Sequence, residues 1–355
     1  MGERLLVVSS GGGHLTEAMH LVQSLDDVDA VHWATADHDQ SQTLLAGQTV
    51  WPITAVGPRQ LGRTLALVPR ARRLIRRLRP TAVLSTGAAP ALPFLVTAAR
   101  MGIGAHYIES LTRIDGPSLT GRLMAAIPGV GCYTQHGDFG GRWRPIGSPF
   151  DNYRADLGPD RARSGGPGPG PGPGPDGDAP PLRRVVVTVG TLQEFPFRSL
   201  VAQVARILPA DAEVLWQTGS TPVADLGIDG RHLVPIDEMR RAVAEADVVV
   251  GHAGCGTTLD VLAAGRVPVL VPRRAARGEH VDDHQVELAR HLERRGLAVV
   301  AEAADLTVAH LRRAAAGTVE ALGLSTSTLT ARLSGALAGA GAGADGAAEP
   351  AVCGR

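Results

Sequence analysis

Short runs of β-branched and other apolar residues recur along the chain, separated by segments whose apolar positions return every three or four residues. In the first part the short runs predict strands at Leu5–Ser9, Val31–Thr35, Val50–Thr54, Ala82–Leu84, Ala105–Ile108 and Gly131–Thr134. In the second part they predict strands at Arg184–Val189, Glu213–Gln217, His232–Pro235, Asp247–Gly251, Val267–Val271 and Ala298–Val300. Strand runs alternating with helical periods are the signature of parallel sheets with crossover helices. The expected fold class is therefore α/β, with two Rossmann-like domains whose ligands sit beyond the carboxyl ends of the strands.

Every residue from Gly165 to Pro175 is Gly or Pro, a composition that behaves as a solvated spacer. The Ala/Gly-rich end from Ser334 reads as a disordered tail. This predicts an N-terminal domain over 1–155, a linker over 156–181, a C-terminal domain over 182–333 and a tail over 334–355. Two domains also suit 355 residues, because single cores stop growing near ~250–300 residues. Pro80–Ala99 is uncharged over twenty residues, but its prolines, Gly87 and hydroxyls predict a strand, a turn and a helix instead of a membrane span. The start of the chain runs directly into Leu5–Val8 and reads as a strand, not a signal peptide.

The 35 basic and 35 acidic residues cancel, so no global field recruits nucleic acid. All the basic residues are Arg, and the absence of Lys removes P-loop phosphate binding, protein-kinase chemistry and Schiff bases. Three scattered cysteines exclude a disulfide framework and suit a reducing cytoplasm. Charge is unevenly spread, however. Between Gln40 and Ile108 there are nine Arg and no Asp or Glu. Leu67, Val68, Ala71, Leu74, Ile75 and Leu78 fall on one predicted helical face, with six arginines between Arg70 and Arg79 largely on the others. That pattern suits either a solvated surface helix or a basic stripe against an anionic membrane.

Chemistry concentrates at two strand-to-helix turns. Ser9–Glu17 carries Gly11, Gly12, Gly13 and His14, a turn whose amides approach closely and which projects an imidazole. His252–Asp260 carries Gly254, Cys255, Gly256, Thr257 and Thr258 at a helix start, where a diphosphate would sit with Asp260 placed for a ribose. A polar loop, Gly278–Gln285, holds His280, Asp282, Asp283 and His284. Its spacing is loose for a metal, and the two acids also suit helix capping. The expectation is no metal and no cofactor.

Several motifs in order carry a family resemblance. Ile236–Met239, Ala246–Val250, the His252–Asp260 turn and the loop from Val271–Pro272 to His284–Gln285 resemble the donor half of the lipid II-forming UDP-GlcNAc transferases. With Thr188–Thr191 they are still more similar to the catalytic subunit of the two-subunit UDP-GlcNAc transferase of eukaryotic N-glycan precursor assembly. Gly12–His14, Ser85–Gly87, Ile108–Ser110, Arg113 and Ser118–Arg122 resemble its membrane-recruiting partner subunit. The resemblance implies a GT-B glycosyltransferase of family 28 type, two domains facing a cleft, with both partners fused in one chain.

By that resemblance Ile236 would meet a uracil, Thr257 and neighbouring amides the diphosphate, Asp260 the ribose and Gln285 the sugar hydroxyls. Gly190, Thr191, Met239, His252, Gly254, Cys255, Gly256, Thr258, His280, Asp283 and His284 complete the implied donor site. Gly12, Gly13, Glu17, Ser110 and Arg113 would bind the acceptor, with His14 or Glu109 as base. Leu288 replaces a second sugar-reading amide, and the partner subunit's usual membrane-spanning segment is missing. The implied reaction is inverting and metal-independent. It transfers GlcNAc from a UDP-sugar donor to a polyprenyl-diphosphate-linked acceptor in envelope or exopolysaccharide assembly. The place implied is cytoplasmic, peripheral on the inner face of the plasma membrane. A UDP-sugar epimerase and an inactive lipid-linked-sugar binding module remain alternatives.

Overall fold

In the computed structural model, residues 3–23, 25, 28–57, 60–158, 182–191, 194–323, 334, 335 and 337 are described. Unbroken apolar runs bury both faces of their strands, which suits a parallel sheet covered by helices on each side. The first sheet holds β1 (Glu3–Val8), β2 (Val28–Ala36), β3 (Thr49–Ile53), β4 (Ala82–Ser85), β5 (Gly104–Ile108), β6 (Val130–Thr134) and β7 (Trp143–Pro145). Their order is β3-β2-β1-β4-β5-β6-β7, parallel throughout. Period-two alternation sends Leu6, Val8 and Val83 into one apolar layer, and Leu5, Val7 and Leu84 into the other. Truncating such a leucine to alanine costs about 2–5 kcal/mol.

A short antiparallel pair joins β8 (Tyr153–Asp156) to β15 (Thr318–Ala321). The second sheet holds β9 (Arg184–Thr188), β10 (Glu213–Gln217), β11 (Gly230–Arg231), β12 (Val248–Gly251), β13 (Val269–Leu270) and β14 (Val299–Val300). Its order, β11-β10-β9-β12-β13-β14, is again all parallel. Val185 and Val187 face one layer, and Val186 with Val249 the other.

The chain divides into one unit of Met1–Ser110, Gly116–Ser148 and Thr326–Arg355, and another of Leu111–Asp115 and Pro149–Ser325. The β8 segment, assigned to the first half by a boundary at 155, groups here with the second unit because β15 is its partner. The predicted strand His232–Pro235 is a correction. The ladder runs through Gly230–Arg231 instead, and Val234 is apolar because it packs into a helix-side cluster. The Pro80–Ala99 segment forms a strand, a turn and the helix Ala91–Arg100, and no helix among the described residues is long and apolar enough to cross a membrane. Residues 159–181 of the linker and most of the tail lie outside the described residues. Leu337, read as tail, is buried in the first unit's core.

Helix Val68–Leu78 buries Ala71, Leu74 and Ile75 and exposes Arg72, Arg73, Arg76 and Arg77. Val68, expected on the buried face, is instead 40% exposed, next to Leu61 at 62% and Leu65 at 53%. The departure follows from its position at the first turn, beyond the edge of the sheet-facing stripe.

Candidate functional site

In each sheet the strand order reverses beside the first strand, between β1 and β4 in one unit and between β9 and β12 in the other. Chains leaving two such neighbours run to opposite faces and leave a crevice at their carboxyl ends. Both glycine-rich turns singled out in the sequence lie at these points.

In the first unit, the turn after β1 leads into helix Gly13–Gln23, with Gly12 in the left-handed region at φ +72°. His14 Nδ1 lies 3.1 Å from the carbonyl oxygen of Thr86, and Thr86 Oγ1 donates to the His14 carbonyl at 2.8 Å. A carbonyl only accepts, so Nδ1 carries the proton and Nε2 is the basic nitrogen. Gly87 makes this approach possible: at φ +128°, an added Cβ would lie 3.1 Å from His14 Cε1.

The same unit buries two carboxylates, Glu17 and Glu109. Glu17 accepts from Ser110 Oγ at 3.0 Å and from Gln135 Nε2, while Gln135 Nε2 also donates to the Glu109 carbonyl at 2.9 Å. Glu109 accepts from Tyr107 OH at 3.1 Å, Ser110 N at 3.1 Å, Ser118 N at 2.9 Å and Ser118 Oγ at 3.1 Å. Burial raises its pKa from the ordinary carboxyl value despite these donors. Ser118 in turn caps helix Leu119–Ala125. Glu109 thus braces the polypeptide between Ser110 and Ser118, with its oxygens committed. Of the residues expected at the acceptor side, Gly12, Gly13 and His14 reach the surface of the turn, and Glu17, Glu109 and Ser110 are buried. Arg113 instead belongs to the second unit, where its guanidinium engages Asp282.

In the second unit, β9 ends in Val189–Gly190 and β12 runs into helix Cys255–Ala263. Gly254 is the N-cap, and having no side chain it makes no cap to the first-turn amides. The His252 ring fills the space between the two turns: a Cβ on Gly190 would lie 2.9 Å from its Cε1, and one on Gly254 2.6 Å from its Nε2. Its Nδ1 lies 3.4 Å from the Thr188 carbonyl, and burial, followed by the charge of Arg273, lowers its pKa to about 3. His252 is therefore a neutral wedge.

Thr257 is half-buried, whereas Thr258 is buried and donates to the Gly254 carbonyl at 2.8 Å, inside its own helix. Cys255 and Gly256 are also buried. Asp260 is half-buried one turn along, with Arg240 Nε at 4.0 Å. Ile236 opens helix Ile236–Glu245 half-buried, but Met239 points into the core with Val186 and Val243.

The loop after β13 converges on Gln285, which starts helix His284–Arg294 and is buried. Its Oε1 accepts from Arg273 N at 3.1 Å, which leaves the amide Nε2 to read hydroxyls. Asp283, at the N-cap, does not cap its helix but accepts from Ala275 N at 2.9 Å. Phe195 stacks on His280 at 5.1 Å between centroids, and His280 meets His284 edge-on at 4.5 Å. Ligand atoms of His280, Asp282 and His284 lie within 4.8 Å of one another, the arrangement among the described residues able to hold a metal. Asp282 already engages both His284 and Arg113, and these partners hold its carboxyl far below the usual range.

Thr86 lies in the Ser85–Gly87 motif that the sequence offered, whereas Gln135, Phe195 and Arg273 were not singled out from the sequence. Arg273 carried a signal, an arginine directly after the apolar run Val267–Pro272 at a strand's carboxyl end.

Two parallel sheets, each with a glycine-rich turn at its strand reversal, define a two-domain protein of the GT-B class. Residues 184–316 match the glycosyltransferase family 28 C-terminal domain. It is similar to the UDP-N-acetylglucosamine–N-acetylmuramyl-(pentapeptide) pyrophosphoryl-undecaprenol N-acetylglucosamine transferase of Verminephrobacter eiseniae, 27% identical over 81% of this chain and 82% of that protein. The enzyme of the same name from Ralstonia nicotianae is 31% identical over 67% of this chain and 63% of its own length. Among solved structures, Acinetobacter baumannii MurG superposes with a TM-score of 0.54 at 18% identity, covering 94% of this chain and 95% of its own, and shares the fold.

Proposed function

We propose that the protein is an inverting, metal-independent glycosyltransferase that moves GlcNAc from UDP-GlcNAc to a polyprenyl-diphosphate-linked acceptor. The observation that carries this reading is the uncapped helix start at Gly254–Thr257, set at the strand reversal of a family 28 domain. Its amides suit the diphosphate, Ile236 the uracil, Asp260 the ribose and Gln285 Nε2 the sugar hydroxyls. The curated relatives, whose names specify GlcNAc transfer to a lipid-linked acceptor, support the same donor and acceptor classes.

His14 acts as general base through Nε2, with Thr86 fixing its tautomer. As the acceptor oxygen attacks the anomeric carbon, its proton passes to Nε2 while the bond to UDP breaks on the opposite face. The developing negative charge on UDP is met by helix-end amides. We further propose attachment to the cytoplasmic face of the plasma membrane through the exposed Leu61, Leu65 and Val68 and the groove lined by Arg72, Arg73, Arg76 and Arg77.

The test is incubation with labelled UDP-GlcNAc, with and without a lipid-diphosphate acceptor. Label should enter the lipid fraction only when the acceptor is present. Conversion to another UDP-sugar without acceptor would identify an epimerase, and nucleotide binding with no turnover on any lipid acceptor would identify a binding module.

A further inference from the structure

Arg273 and Arg274 are neighbours with opposite circumstances. Arg274 is partly exposed and engages Glu302, with Nε donating at 3.2 Å. Arg273 is 1% exposed and, among the described residues, has no carboxylate partner. Its Nη2 donates to the Val189 carbonyl at 2.6 Å, and its guanidinium carbon lies 5.2 Å from the centroid of Phe197. Nε and Nη1, which carry three of the five N–H donors, are buried without a hydrogen-bond partner among the described residues. The acid that most influences it, Glu279, is held by Ser199 Oγ at 2.8 Å and Arg274 N at 3.0 Å. Burial lowers the Arg273 pKa to about 10, so the group stays charged at neutral pH.

A buried guanidinium without a counterion is costly, and an anionic ligand would supply the missing charge. Its place indicates which ligand. Arg273 follows β13, the neighbour of β12, and reaches across to the end of β9, so it lies at the strand reversal beside His252. Its backbone N–H also fixes Gln285 Oε1, which ties it to the sugar end of the site. We propose that Arg273 is an oxyanion-binding residue of the donor site, left under-bonded so that Nε and Nη1 take up an oxygen of the nucleotide sugar. The oxygen belongs to the diphosphate or to a carboxylate on the sugar, and the planar fork of arginine suits either. This assignment rests on the donor reading above.

The test uses the full chain, wild type and with Arg273→Met or Arg273→Lys. Calorimetry would follow uridine, UMP, UDP, UDP-GlcNAc and UDP-glucuronate, beside thermal unfolding without ligand. Arg273→Met should melt at or above the wild-type temperature, because it removes an unpaired buried charge. It should bind uridine as before and lose roughly 10- to 100-fold in affinity for the ligand carrying the oxyanion. Arg273→Lys should recover part of that loss. The first ligand in the series to show the loss names the source. A loss appearing at UMP or UDP marks a phosphate, and a loss confined to UDP-glucuronate marks a sugar carboxylate. A lower melting temperature with unchanged affinities would make Arg273 a structural strut and overturn the proposal, as would equal weakening of uridine and UDP. A folded wild-type protein that binds no UDP would overturn the donor reading and this assignment with it.

Discussion

The two units share one sheet plan and furnish it with opposite electrostatics. The first unit holds an imidazole at its reversal point and buries two carboxylates, Glu17 and Glu109. At the second, a neutral imidazole, uncapped helix amides and a buried guanidinium surround the corresponding crevice. Backbone topology fixes where a ligand goes, and the residues at the strand ends fix which charge it carries. An acceptor hydroxyl needs a base, whereas a departing diphosphate needs positive charge. The proposed reaction requires one of each.

The largest expected effect breaks the first half of that comparison. His14→Ala should lower turnover by about 10²–10⁴-fold, the usual contribution of a general base. A loss of tenfold or less in steady-state assays would return the base role to Glu109. The membrane assignment comes next. Changing Arg72, Arg73, Arg76 and Arg77 together to Gln should weaken binding to anionic vesicles by about 10²–10³-fold, at up to ~1 kcal/mol per charge. Equal co-sedimentation with neutral and anionic lipid would contradict it.

Gly254→Ala tests the wedge in the second unit. Its Cβ would lie 2.6 Å from His252 Nε2, and such overpacking costs about 1–3 kcal/mol in denaturant unfolding. His252→Ala should relieve part of this cost when combined with it.

A further effect concerns pH. An unfolded imidazole takes a proton below about pH 6.5, whereas folded His252 refuses it down to about 3 and His280 to about 4. Between those values the unfolded state binds more protons, so the second unit loses stability as pH falls. Glu109 runs the other way. Raised in the fold, its pKa makes its contribution full below the ordinary carboxylate value and lost as pH rises through the raised one. Hydrogen exchange should show β12 amides losing protection on acidification, and His252→Asn should flatten that dependence.

Most central strands were legible because Val, Leu and Ile in unbroken runs have few other places to go. Trp143–Pro145, Tyr153–Asp156 and Thr318–Ala321 were not, since edge and paired outlying strands carry Arg, Pro and Glu and show no buried run. The two turns were legible because glycine density at a strand end reflects a backbone requirement. The buried carboxylate network of the first unit was not: Glu17 meets Gln135 across 118 positions of sequence. Arg113 read as part of the first half because chain order suggested it, and its grouping with Asp282 is a tertiary fact.

The division of labour between the two reversal points is tested most directly by calorimetric titration of UDP into His14→Ala and Asp260→Ala. The account predicts wild-type affinity for His14→Ala and a weakening of roughly 1–3 kcal/mol for Asp260→Ala, the span for losing a charge-assisted hydrogen bond. Equal weakening by both changes, or full affinity in Asp260→Ala, would contradict it.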